Sequence, residues 1–245
     1  EYVVVNQNLC TRIPDNTDIK EASFTVLGSI ALHGLRLSET SLGSKVVVIG
    51  LGIIGQLVCR LAEAQGSEVI GIDPDTKRTD LSANFYTSVE EANMTNVDSV
   101  IITAATSSNE PIEVATKIAR NKAKIVVVGD IPLNISRNDF YYKELELVVS
   151  KSYGPGRYDK QYEILGKDYP IEYVRWTENR NFEAFIKLLS QNQIHLLDLV
   201  TEEVSFENAP SIYKKFSGED KPLSIVLRYD NKSEPKIDLQ RTVEL

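Results

Sequence analysis

The amino-acid sequence predicts an α/β fold built on a doubly wound parallel sheet, and three observations carry that expectation. Residues 46–49 are all β-branched and run directly into glycines at Gly50, Gly52 and Gly55. Beyond them Ile53, Ile54, Leu57, Val58, Leu61 and Ala62 recur at helical spacing. The same strand-then-helix alternation returns downstream, a pattern that builds parallel βαβ units. With 245 residues, 42% of them hydrophobic and 25% charged, the chain can bury a sizeable core in one large or two small domains.

The elements follow in order. An extended start at 2–5 leads to Pro14, after which Asp18 and Glu21 have capping-box spacing and predict a helix to Leu37. That helix is expected to bury Val26, Leu27, Ile30, Ala31 and Leu35. After the first strand and glycine loop, a second strand at 68–72 ends in Asp73. Strand 99–103, helix 111–119 and strand 124–128, ending at Gly129, continue the sheet; another β-rich stretch spans 145–150. The texture then changes: Tyr153-Gly-Pro-Gly-Arg-Tyr158 reads as a loop, and 168–176 as an aromatic-rich irregular stretch. A helix at 181–191 should bury Phe182, Phe185, Ile186 and Leu189. A strand at 203–206, a helix through Phe216 and a strand at 223–229 complete the tail, and 230–245 reads as a linker or disordered end.

The glycine spacing makes a specific physical demand. Gly50 permits the tight turn out of a strand, Gly52 lets backbone approach a pyrophosphate, and Gly55 lets the new helix pack against the sheet. The diphosphate then meets free amides at a helix N-terminus. Asp73, 23 residues after Gly50, stands where a carboxylate accepts hydrogen bonds from the adenosine ribose. Together these features are the Rossmann dinucleotide fingerprint. A negative charge at Asp73 repels a 2'-phosphate, which favours NAD over NADP, although Lys77 and Arg78 stand nearby as cations able to reach a phosphate.

Composition excludes other classes. The net charge of -8 opposes non-specific attraction to nucleic acid, and the basic residues are scattered. No apolar run approaches the roughly 18 residues that span a bilayer, and no signal peptide is evident. Cys10 and Cys59 fit a reducing compartment, so the cytoplasm is the expected location. The only methionine is Met94, so the expectation is that residues upstream of Glu1 are missing.

The segments "NLCTRIPDNTDIKEASFTVLGSIALHGLRL", "GLGIIGQL", "IITAAT", "KIVVVGDIP" and "LLSQNQIHLLDLVTEEVSFENAPSIYKKFSG" occur in an order that resembles the medium-chain dehydrogenase/reductase family, the relatives of zinc alcohol dehydrogenases. The segment "SKSYGPGRYDKQYEILGKDYPIEYVRWTENRNFEAF" at 150–185 is similar to the bi-domain oxidoreductases of polysaccharide and heteroglycan metabolism within that family. The resemblance implies a Rossmann domain set between remnants of a GroES-like catalytic domain: 1–24 and 153–229 as catalytic pieces, 25–152 as the NAD(P)-binding domain, and 230–245 as a linker. It further implies that Gly50, Gly52, Ile53, Ile54 and Gly55 cradle the pyrophosphate, that Asp73 holds the ribose, and that Arg78 lies beside the adenosine. Thr103 and Gly129 would line the nicotinamide side; the Thr103 hydroxyl is equally suited to bonding neighbouring backbone. Homo-oligomerisation and a small-molecule substrate, a sugar or nucleotide sugar, are also implied.

The family's metal ligands have no counterpart here. There is no Gly-His-Glu motif and no Cys-x-x-Cys set, and Cys10, Cys59, His33 and His195 sit at no spacing that suits tetrahedral zinc. No Tyr-x-x-x-Lys pair occurs either, which excludes the short-chain dehydrogenase arrangement. Tyr153, Arg157 and Tyr158 are candidates for a substrate-facing loop or for an ordered crossing, and Arg175, Trp176 and Glu178 read as interface packing. No catalytic residue is assigned. Two functions stay open: the cofactor-binding portion of an alcohol or sugar oxidoreductase, inactive alone, and a non-catalytic nucleotide-binding or assembly module of a larger protein.

Overall fold

The computed structural model describes residues 3–82, 84–213, 215 and 221–229. Asp18 caps a helix as its spacing predicts, accepting from the amides of Lys20 at 2.7 Å and Glu21 at 3.3 Å. The helix is broken, however, into α1 (Ile19–Ala22) and α2 (Thr25–Leu37). Glu21 does not close the capping box: its carboxylate accepts instead from the Leu196 amide at 2.6 Å. The break also turns the buried face. Val26 is 50% exposed, and the buried stripe of α2 is Gly28, Ser29, Ala31, Leu32, Gly34 and Leu35. Small residues lie inward because Phe185 occupies the space where a side chain on Gly28 would stand, and Val128 the space beside Gly34.

The β-branched runs form a six-stranded sheet in the order β3-β2-β1-β4-β5-β6, parallel throughout. Here β1 is Lys45–Ile49, β2 Glu68–Ile72, β3 Phe85–Tyr86, β4 Val97–Ile102, β5 Ala119–Val127 and β6 Glu146–Val149. Both faces are covered, so the strands read as continuous apolar runs and not as an alternation. Helix α3 (Ile53–Ala64) connects β1 to β2 and buries Leu57, Val58, Cys59, Leu61 and Ala62. Short helices α4 (Thr76–Thr79) and α5 (Val89–Ala92) flank β3. Helix α6 (Glu110–Ile118) joins β4 to β5, and α7 (Arg137–Lys143) precedes β6. Strand β5 begins five residues before its expected start: Val97 pairs Ala119 and Ser99 pairs Lys124, with Lys122 at φ 61° in the irregularity between them.

After β6, α8 (Lys160–Glu163) and α9 (Glu178–Ser190) follow. Thr177 caps α9, which starts three residues before expectation and buries all four predicted apolar residues, Phe182, Phe185, Ile186 and Leu189. Asn6–Leu199 make one compact unit, so the segments on either side of the sheet fold with it. A second unit holds the described residues of 1–5 and 200–245, where β7 (Glu202–Ser205) pairs in parallel with β8 (Ile225–Arg228) across a connection containing α10 (Ala209–Ile212). The expected helix end at Phe216 and the linker at 230–245 lie outside the described residues.

Candidate functional site

In this strand order the chain reverses its winding between β1 and β4, and ligands of open parallel sheets bind beside the carboxyl ends of the strands at that reversal. Gly50 leaves β1 at φ 98°, a left-handed conformation that disfavours side chains, and a Cβ on it would stand 2.5 Å from the Ala104 nitrogen. On Gly55 it would stand 1.9 Å from the Gly50 carbonyl oxygen, and on Gly129 2.0 Å from the Ala104 oxygen. The Thr103 hydroxyl donates to the Gly50 carbonyl, tying the ends of β1 and β4 together. Its proton is therefore committed to backbone, as one of its two sequence readings holds.

Gly52 differs from the other glycines. It is the N-cap of α3 and offers no side-chain cap to the first-turn amides, and a Cβ there would meet only an Arg78 Nη1 atom at 3.9 Å. The helix start therefore keeps both its unpaired amides and a clear approach, flanked by the half-buried Ile53 and Ile54. Asp73 is 4% exposed. Its Oδ2 accepts from the Leu51 amide at 2.7 Å and from Arg78 Nη1 at 3.2 Å, and its Oδ1 accepts from the Asp75 amide at 2.9 Å. Arg78 also reaches Asp75 at 3.3 Å. Gly50, Gly52, Ile53, Ile54, Gly55, Asp73 and Arg78 thus converge on one end of the sheet, and Thr103 and Gly129 join them through Ala104.

Sequence reasoning missed three supports of this arrangement. Ala104 is the small residue against which both Gly50 and Gly129 pack, and the run of small residues after β4 was the available signal. Leu51, fully buried, delivers its amide to Asp73. Gln56, 1% exposed, donates to the carbonyls of Leu51 and Arg78 and so joins α3 to the turn that carries Arg78.

The loop after β6 forms a second polar region. Gly154 and Gly156 adopt φ 107° and 108°, and Tyr158 is left-handed at φ 68°. Asn181 of α9 donates to the Tyr153 carbonyl at 2.9 Å and accepts from Arg36 Nε at 3.0 Å. Trp176 is stacked against Arg36 and Arg175, 3.3 and 3.8 Å from the ring centre. Burial and, after it, the like charge of Arg175 pull Arg36 down to about 10. Glu178, at the start of α9, is fully buried and neither carboxyl oxygen has a hydrogen-bond partner among the described residues. Burial first and the Glu163 charge second push its pKa up to about 7, against the pull of Arg157. Of the three loop residues that an ordered crossing would expose to solvent, Tyr158 is 66% exposed and Tyr153 and Arg157 are half-buried.

A cavity of about 500 Å³ opens elsewhere, between α6 and α7, lined by Ile112 and Phe140 among others. Of its two lysines, Lys117 and Lys143, the latter donates to the carbonyls of Thr116, Lys117 and Ala119 and caps α6. No cluster of three His, Cys, Asp or Glu suited to a metal occurs among the described residues. His195 is exposed, and His33 lies on the half-buried shoulder of α2 with its pKa lowered by burial and by Arg36.

Residues 28–139 match the family model for the NAD binding domain of D-isomer specific 2-hydroxyacid dehydrogenases, a different Rossmann family that shares the dinucleotide-binding core. The similar curated proteins and solved structures are dehydrogenases and reductases, several of them acting on sugars or alcohols by name. The 2-dehydro-3-deoxy-L-galactonate 5-dehydrogenase of Pseudoalteromonas atlantica is 28% identical over 174 residues, 63% of this chain and 49% of the relative. D-xylulose reductase A of Aspergillus niger is 22% identical over 230 residues, 88% of this chain and 59% of the relative. The crystal structure of galactitol-1-phosphate dehydrogenase from Escherichia coli superposes with a TM-score of 0.72 at 21% identity, covering 92% of this chain and 65% of that one. The fold is thus the Rossmann-type α/β fold of these enzymes. The chain spans about half to three fifths of the length of the curated relatives it matches.

Proposed function

We propose that this chain is the cofactor-binding portion of an NAD-dependent medium-chain oxidoreductase that acts on an alcohol or sugar carbon. The observation that carries the reading is the contrast among the glycines: three are closed in by protein atoms, while Gly52 alone faces open space beside uncapped helix amides. The residues present fit a dinucleotide. Gly50, Gly52, Ile53, Ile54 and Gly55 would form the pyrophosphate cradle, Asp73 would accept from the ribose hydroxyls, and Arg78 would lie along the adenosine. Thr103 and Gly129 would border the nicotinamide, Thr103 through the lone pairs left after its proton is given to Gly50. Bound NAD supplies the hydride donor or acceptor.

In the same reading the pieces 1–24 and 153–229 belong to the catalytic domain, 25–152 is the cofactor domain, and 230–245 a linker. The substrate is a sugar or nucleotide sugar, and the compartment is the reducing cytoplasm, in keeping with free Cys10 and Cys59. Copies associate edge to edge at β6, whose Val149 is 60% exposed; light scattering that finds a monomer removes that part.

Asp73→Asn tests the cofactor assignment. The amide keeps an acceptor for the Leu51 N–H and removes the charge, so calorimetric titration should show discrimination against NADP falling about tenfold. An unchanged NAD/NADP ratio would show that Asp73 does not face the ribose.

A further inference from the structure

Arg60, Arg78, Arg120, Arg157, Arg180 and Arg228 each stand in an ion pair with a carboxylate. Arg36 and Arg175 do not. Neither has a carboxylate partner among the described residues, although the chain carries a net charge of -8. Both instead face the Trp176 ring, 3.3 and 3.8 Å from its centre, which puts the two guanidinium carbons no more than about 7 Å apart. Like charges held this close repel each other when no anion accompanies them. Arg36 registers that repulsion: burial first and Arg175 second lower its pKa to about 10. His33, one turn earlier on α2, is half-buried, and burial followed by Arg36 holds it below the usual imidazole range.

Helix α9 positions the pair. Arg36 Nε donates to Asn181 Oδ1 at 3.0 Å, and Asn181, fully buried, is itself fixed by donating to the Tyr153 carbonyl at 2.9 Å. The Nη groups of Arg36 and the donors of Arg175 have no acceptor among the described residues. Arg180 Nη1 donates to the Val174 carbonyl at 2.6 Å and its Nη2 to the Tyr169 carbonyl at 3.1 Å, which fixes the backbone directly before Arg175. Solvent reaches the site, since Arg175 is exposed and Arg36 and Trp176 are half-buried. Two positioned guanidinium forks without a counter-ion are the donor set that phosphate oxygens match.

We propose that Arg36 and Arg175, stacked on Trp176, form a binding site for a phosphate group, as a phosphate ester or the free ion. The site uses residues that the cofactor cradle does not, and it goes beyond the oxidoreductase reading. Each guanidinium donates Nη hydrogens to the phosphate oxygens, and the phosphate charge relieves the repulsion between the two arginines.

Trp176 is the only tryptophan, so its fluorescence reports on the site directly. The full chain is titrated with inorganic phosphate at an ionic strength held constant with chloride, with calorimetry beside it, alone and after saturation with NAD. The expected result is a saturable change in Trp176 emission with millimolar affinity, retained when NAD is bound. Arg175→Gln, at an exposed position, should keep the parent circular dichroism and bind phosphate about tenfold more weakly; Arg36→Gln should weaken it likewise. Tighter binding of glycerol phosphate marks an ester as the occupant and tighter binding of inorganic phosphate marks the free ion; both uphold the site. No saturable signal up to about 50 mM phosphate overturns it, as does affinity unchanged in Arg175→Gln. Phosphate that NAD displaces belongs to the glycine loop and overturns the site as well. Succinate that binds as tightly as phosphate overturns the phosphate assignment.

Discussion

Gly55→Ala is expected to lower the stability of the fold by about 3 kcal/mol and to abolish dinucleotide binding, whereas Gly52→Ala should fold with a loss of no more than about 1 kcal/mol yet bind NADH at least tenfold more weakly. The contrast follows from geometry. A methyl on Gly55 would lie 1.9 Å from the Gly50 carbonyl oxygen and 2.8 Å from the Thr103 hydroxyl, so α3 must move off the sheet. A methyl on Gly52 meets only Arg78 at 3.9 Å, and the backbone there, at φ -63°, accepts any residue. Its sole effect is to occupy the approach to the helix amides. Urea denaturation followed by circular dichroism, with NADH titrations beside it, separates the two. Equal effects of both variants on stability, or normal NADH binding by Gly52→Ala, would contradict the assignment of Gly52.

Glu178→Gln should stabilise the protein by about 2 kcal/mol at pH 8 and leave it unchanged at pH 4. The native carboxyl holds its proton up to about 7, whereas the unfolded chain releases it near 4.5. Between those values the native state binds more protons, so this group's contribution to stability falls as pH rises from about 4.5 and is fully lost above about 7. The glutamine has no proton to lose and removes that slope. Thermal denaturation of both proteins across this range reads it directly. Parallel stability profiles would mean that Glu178 is partnered or solvated in solution.

The sheet was legible because parallel strands buried on both faces leave β-branched runs that no helix period imitates, as at 46–49 and 125–128. The cofactor end was legible for a related reason: the glycines encode close approaches, and the structure gives Gly50, Gly55 and Gly129 contacts that no side chain tolerates. Less visible were features in which small or polar residues take apolar positions. The inward stripe of α2 runs through Gly28 and Gly34 because Phe185 and Val128 fill the space, so a search for large apolar residues selects Val26 instead. Glu21 has the spacing of a capping box but bonds Leu196, 175 residues away, a partner that local pattern does not reveal. Glu178 reads with Arg175 and Trp176 as interface packing, but that its carboxyl is fully buried with no hydrogen-bond partner among the described residues emerged only from the fold. Asp73 was singled out by spacing, while its hydrogen bond from Leu51 emerged only from the fold.

The central claim is that the open face at Gly52, with Asp73 beneath it, holds NAD. It is tested most directly by titrating the chain with NADH and following energy transfer from Trp176, the only tryptophan. Saturable binding that is weakened by Gly52→Ala and competed by NAD more strongly than by NADP is the expected result. No saturable signal up to millimolar NADH, corroborated by calorimetry, would contradict it.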